Sequence, residues 1–286
     1  MRAVMIVPII WFTFDTEPLT DAVQGAPMAL VGGATLADSP PLDAALSTDF
    51  DSGSALALDG AGSWAEAASD TLYEPAYFTL SAWIHPTAIG DEKTILAKAN
   101  TEENATGYWL ILRDDDLRLT IGADDIEQEI LGEAGIETDR WTHVAATFDG
   151  FTVKLYVDGA LIEQETVTVP LIYGDEPFQV GHITPRDEFG FVGLIDEVRI
   201  YDGVLDEEEV ADLIADYDVV EEGDTQDTGP GVEGDEGAAE AGCGCSTGAP
   251  VGWLWSSWLV ALVAVRRRSP RVATTRAPLL ELKPSK

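Results

Sequence analysis

The chain has 286 residues, with 16 basic and 52 acidic side chains and a formal charge of −36. Seven basic residues and one acid follow Val265, so residues 1–265 hold 9 basic and 51 acidic side chains, a net −42. That length allows one large domain or two small ones. That charge repels nucleic acid, excludes it as a partner, and favours cations, calcium among them.

Taken in order, the front reads "MRAVMIVPIIWFTFDT". One arginine and a short apolar run suggest an export signal over residues 1–9, but the run is brief and no small-residue cleavage site follows. It reads better as the lead-in to a first strand in "IIWFTFDT". Two alternatives stay open: the export signal lies upstream of Met1, or Met1 is the true start.

From residue 10 onward strand follows strand. "YFTLSAWIHP" puts Phe78, Leu80, Ala82 and Ile84 on one face. "GYWLIL" and "LRLTIG" flank the acidic turn Asp114-Asp115-Asp116. In "WTHVAATFDGFTVKLYVDGALIEQETVTV" two Asp-Gly pairs, Asp149-Gly150 and Asp158-Gly159, bound a strand in which Val153, Leu155 and Val157 alternate with Thr152, Lys154 and Tyr156. Asp-Gly suits tight hairpin turns, because both central positions tolerate positive φ. With no long amphipathic helix in this region, the expectation is an all-β, two-sheet antiparallel sandwich.

One short helix closes the domain in "VLDEEEVADLIADY". Asp206 is placed to cap it, Glu209 to complete a capping box, and Leu205 to pack on Val210. Val210, Leu213 and Ile214 form its apolar stripe. The domain is thus expected to span residues 10–218. Residues 219–242 are acidic and lack aromatic and basic residues, so a disordered linker is expected there.

Then come Cys243 and Cys245, the only cysteines in the chain, an apolar run over 250–265, and Arg266-Arg267-Arg268. Sixteen helical residues would span about 24 Å, a little short of a typical hydrocarbon core. Trp253, Trp255 and Trp258 suit one interface, and the arginines favour a cytoplasmic end. The expectation is a single membrane-spanning helix, with the acidic domain across the membrane. Residues 269–286 have no assigned role.

"WFTFDT", "SALALDGAGSWAEA", "FTLSAWIHPT", "RWTHVAATFDGFTVKLYVDGALI" and "GFVGLIDEVRIYDGVLDEEEVADL" occur in the order of the laminin G-like family of concanavalin A-like jelly rolls, which the region resembles. The resemblance implies a jelly-roll sandwich that binds a glycan or an extracellular protein, often with calcium. The calcium positions it implies are Asp196 in "GLIDEV", Asp59-Gly60 in "LALDGAG", and Asp15 in "FTFDT". The tail over 243–268 resembles the MYXO-CTERM sorting signal. That implies export, cleavage by a sorting protease near Cys243 or Cys245, and delivery to the cell surface. The residues after Arg268 depart from that pattern.

Some concanavalin A-like relatives are glycoside hydrolases that set acids as E-x-D-x-E on one strand, all facing one way. No such triplet is present. "ETDRW" has Trp141 in the third position, and Asp196 and Glu197 are adjacent, so a strand points them to opposite faces. His85, His143 and His182 are scattered, and no nucleophile elbow occurs. Aromatic and polar candidates for ligand contact are Trp64, Tyr108, Trp109 and Tyr173, with Arg186 and Asp187 in "HITPRDEFG". Trp83 and Trp141 sit within strong strand patterns and are expected in the core.

The reading is a non-enzymatic, surface-delivered binding module. Its rivals are a glycoside hydrolase or lyase of the same superfamily, and a purely structural surface protein.

Overall fold

A computed structural model describes residues 6–40, 53–60, 62–101, 105–124 and 126–215. The linker 219–242, Cys243, Cys245, the membrane segment 250–265 and the tail 269–286 lie outside the described residues. Among the described residues, no helix is long and apolar enough to cross a membrane.

The alternating patterns become strands. In chain order they are β1 (Ile10–Phe12), β2 (Ala29–Val31), β3 (Thr35–Asp38), β4 (Ser54–Asp59), β5 (Trp64–Ala67), β6 (Phe78–Pro86), β7 (Glu92–Asn100) and β8 (Thr106–Arg113). There follow β9 (Asp116–Ala123), β10 (Ile126–Gly132), β11 (Thr142–Phe148), β12 (Thr152–Val157), β13 (Ala160–Thr166), β14 (Phe178–Val180) and β15 (Val192–Asp202), then helix α1 (Glu207–Ala215). One sheet has the order β13-β12-β11-β6-β15-β4-β3, with β1 also pairing to β15; the other runs β10-β9-β8-β7-β14-β5-β2. The pairings are antiparallel.

The two sheets pack face to face. Phe78, Leu80, Ala82 and Ile84 of β6 are buried with Tyr108, Leu110 and Leu112 of β8 and Leu117, Leu119 and Ile121 of β9 in one core. Burying each Leu, Ile or Phe side chain among them stabilises by about 1.5–3 kcal/mol relative to leaving it exposed. Trp83 and Trp141 are buried too, but on the other face of the first sheet, with Ala55 and beneath Leu194 and Ile214. Helix α1 covers part of that face through Val210 and Leu213, joined by Leu205 just before it, against Tyr156 and Tyr201.

The α1 cap forms as expected. Asp206 Oδ1 accepts from the N–H groups of Glu208 and Glu209 at 3.0 and 2.9 Å, and Glu209 returns a bond to the Asp206 N–H at 2.8 Å. The two Asp-Gly turns differ. Asp158 and Gly159 both take positive φ, 45° and 73°, and join β12 to β13 tightly. At Asp149-Gly150 only the glycine does, while the Asp149 carboxylate accepts from the N–H groups of Phe151 and Thr152 at 2.9 and 2.6 Å. That turn is longer than the sequence suggested, because the side chain supplies its closing bonds.

Candidate functional site

Successive residues of a strand face opposite ways. In β9, Leu117, Leu119 and Ile121 enter the core, so Arg118 and Thr120 lie on the outer face of the second sheet. In β8 Tyr108 enters the core, and Trp109 lies outside beside Ala97, Ala99, Ile111 and Ile183. The register aligns one outer row across the sheet: Glu129, Thr120, Trp109, Ala97, Gln179 and Glu66.

Residues 181–190, between β14 and β15, fold back over this row as a strap. Ile183 is fully buried against Trp109, and Phe189 packs on the same cluster. Arg186 fixes the strap to the end of β7: its Nε donates to Thr101 Oγ1 at 3.3 Å and its Nη2 to the Thr101 carbonyl at 3.2 Å. Its guanidinium lies 5.4 Å from the Phe189 ring centre.

Between strap and sheet runs a cleft of about 140 Å³, with Trp109 and Phe189 as apolar wall and Arg118, Arg186, Glu127 and Glu129 as its polar lining. An adjoining, wider cleft of about 530 Å³ shares Glu92, Arg186 and Phe189 and adds Asp91, Arg113, Asp114 and Glu188. Arg118 Nη1 donates to Glu92 Oε1 and to Glu129 Oε1, both at 2.8 Å, and only 4% of its side chain is exposed. Partial burial pushes the Glu127 carboxyl above its ordinary range; Arg186 and Arg118 pull against this, while Glu129 and Glu92 add to it.

Of the residues singled out from sequence, Trp109 and Arg186 meet in this cleft, and Asp187 opens the 3-10 turn Asp187–Phe189 of the strap. Tyr108 is a correction. It is fully buried, with its hydroxyl on the Tyr73 carbonyl at 3.0 Å, so no surface is left for a ligand. Tyr173 is likewise tied inward: its hydroxyl donates to the Pro75 carbonyl at 2.8 Å, and its ring meets Tyr108 edge-on at 5.9 Å. Trp64 shares the outer face but sits on β5, three strands from β8, roughly 14 Å away at the usual strand spacing. It stacks on His182 at 4.4 Å and donates to Glu66 at 3.1 Å. Arg118, Glu127, Glu129, Glu92 and Phe189 were not singled out. The alternation of "LRLTIG" held the signal for Arg118, since it set a cation opposite three apolar residues.

Of the calcium positions implied by resemblance, Asp59 and Asp196 stand apart. Asp59 pairs with Val192, four residues from Asp196 along β15, which is about 13 Å in a strand. Asp59 instead accepts from the Ser63 hydroxyl at 2.6 Å, and Gly60 packs beside Val192. Asp15 accepts from the Ser54 N–H at 3.2 Å, at the opposite end of β4 from Asp59. Asp196 is fully buried, and its Oδ1 accepts from the Glu197 N–H at 2.7 Å. A single ion binds oxygens within about 2.6 Å, so the Asp59 and Asp196 carboxylates do not share one calcium. Among the described residues, no group of three or more His, Cys, Asp or Glu is placed to hold a metal.

The protein is thus a two-sheet antiparallel β-sandwich with a strap-walled cleft on the outer face of one sheet. The model of the Concanavalin A-like lectin/glucanases superfamily, laminin G type, matches residues 59–211, and the chain belongs to that family. No curated protein matches it in sequence.

Among solved structures it resembles domain 4 of an extracellular arabinanase from Geobacillus stearothermophilus, solved with arabinotriose. That match has 24% identity and a TM-score of 0.57, over 73% of this chain and 99% of that one. It also resembles the binding domain of Paraclostridial Mosquitocidal Protein 1, at 18% identity and TM-score 0.58, over 73% of this chain and 52% of that one. The receptor binding domain of botulinum neurotoxin type G matches at 15% identity and TM-score 0.56, over 73% and 51%. The chain therefore spans about half the length of the toxin domains. At these identities the likeness is one of fold.

Proposed function

We propose that the chain is a non-enzymatic binding module whose cleft beneath the 181–190 strap takes a glycan or a glycan-bearing extracellular protein. The observation that carries this reading is the convergence of Trp109, Phe189, Arg118 and Arg186 with carboxylates that leave acceptor oxygens at the rim. Apolar walls with a few convergent polar groups are the usual build of a ligand site. The arabinanase domain solved with arabinotriose and the toxin receptor binding domains lend support through their shared fold. The tail over 243–268 adds a proposed route: export, processing near Cys243 or Cys245, and display at the cell surface. A glycan array probed with the full chain tests the reading. Binding to a defined subset of glycans supports it, and no binding above background refutes it.

One observation favours an enzyme as the second reading. Glu127 and Glu129 are two residues apart on β10 and share one face, in the cleft, as a pair of glycosidase carboxylates would. Reducing-end release from polysaccharides, abolished by Glu127→Gln, would establish it. Against it, Glu129 is committed to Arg118 at 2.8 Å and lies 3.7 Å from Arg113.

A further inference from the structure

Arg118 uses one nitrogen, Nη1, for both of its carboxylate partners. Its Nε is buried and has no hydrogen-bond partner among the described residues. An unpaired buried donor is costly, so a ligand atom that accepts from it is favoured. Two carboxylates that line the same cleft, Glu129 and Glu92, bind Nη1 instead.

Charge then narrows what that ligand is. Two guanidinium groups and three carboxylates line the smaller cleft. A ligand carboxylate would add a fourth anion to the three, on a chain of formal charge −36. A cationic group would sit against both guanidinium groups. A neutral hydroxyl meets neither penalty, because it accepts from an N–H and donates to a carboxylate at once. Glu127 is exposed at the cleft and, among the described residues, has no ion-pair partner at the distances that bind Glu129 and Glu92, so its oxygens remain open to a donor. The raised carboxyl of Glu127 fits the same picture, since a neutral partner does not require its charge. At about 30 Å³ for each water, a cleft of about 140 Å³ replaces roughly five waters, the scale of one inserted ring. The wider cleft continues from it and leaves room for a chain.

We propose that the cleft between the strap and β8–β10 is a subsite for one neutral, hydroxyl-rich sugar ring that discriminates against acidic sugars. Arg118 Nε–H is its donor, Glu127 its acceptor, and Trp109 and Phe189 its apolar wall. This inference rests on the binding-module reading above and names the ligand class of that same site.

Calorimetry on the full chain at pH 7 tests it, with arabinotriose, cellotriose and trigalacturonate as probes, in low and in 0.5 M salt so that general repulsion is screened at about 4–5 Å. A neutral trisaccharide should bind at least tenfold more tightly than trigalacturonate in both salts. Arg118→Lys keeps a cation for Glu92 and Glu129 but removes the Nε–H; it should weaken the neutral ligand about tenfold. Should that variant fail to fold, Glu127→Leu at the exposed end carries the test, with a similar loss expected. Equal or tighter binding of trigalacturonate in 0.5 M salt overturns the inference. So does unchanged neutral-sugar affinity in whichever variant folds; in both cases the binding-module reading stands. If none of the three probes binds, the inference falls; a glycan array without hits takes the reading with it.

Discussion

Arg186 reaches across from the strap to grip Thr101 at the end of β7, at 3.3 Å on its hydroxyl and 3.2 Å on its carbonyl. The two residues are 85 positions apart in sequence, yet this contact sets one wall of the cleft. Arg186→Ala should therefore loosen the strap and weaken ligand binding about tenfold or more. Global stability should fall by less than about 1 kcal/mol, because the side chain is half-exposed and its pairing is screened. Calorimetry and thermal melting on one preparation separate the two effects.

A buried ammonium is a stability device here. Lys98 is 1% exposed, and its Nζ donates to Ser69 Oγ at 3.0 Å, the Gly174 carbonyl at 2.7 Å and the Glu176 carbonyl at 2.6 Å, with Glu74 also at 3.0 Å. Lys98→Met would leave those oxygens without their donor, at about 3 kcal/mol or more. For a domain of this size the melting temperature should drop by roughly 6–12 °C. A drop of less than about 2 °C would show that the loops hold without the lysine.

His143 gives a pH signature. Its ring is 2% exposed, and burial, with the nearby Arg199 adding to it, pushes its pKa from 6.5 down to about 3. The unfolded chain therefore takes up a proton that the folded chain refuses. Stability from the neutral ring is fully present above about pH 6.5 and is lost as pH falls toward 3, at up to about 1.4 kcal/mol per pH unit. Urea unfolding of wild type and His143→Gln at pH 7, 6 and 5 isolates it. The wild type should lose stability relative to the variant as pH falls, whatever the acidic surface does to both.

Gly107 permits the close pairing that brings β8 to β7. It has φ +84°, and a Cβ there would stand 1.8 Å from the Lys98 carbonyl oxygen. Gly107→Ala should destabilise by at least about 2 kcal/mol through strain and lost pairing. The effect appears as a lower urea midpoint with an unchanged slope.

Much of the sandwich could be read directly. Phe78, Leu80, Ala82 and Ile84 alternate as a half-buried strand must, and Asp206 with Glu209 marks the start of the helix. The site was legible only in pieces. Tyr108 and Trp109 are neighbours on one strand, so they had to face opposite ways; taking both as ligand contacts ignored the period of two. The strap was invisible because Arg186, Phe189 and Ile183 make their contacts with residues of β7 and β8 far away in sequence, and no local periodicity records a fold-back. The separation of Asp59 from Asp196 was hidden for a related reason. Which residue of β4 stands opposite which residue of β15 is a matter of register, and only the pairing of Asp59 with Val192 shows that Asp196 lies beyond reach.

Hydrogen exchange with and without a saturating trisaccharide tests the central claim most directly, because it reports where the ligand sits. The account predicts slower exchange in β8, β9 and β10 and in the strap over 181–190, with β12 and β13 unchanged. Protection confined to other strands, or none under conditions where calorimetry shows binding, would contradict it.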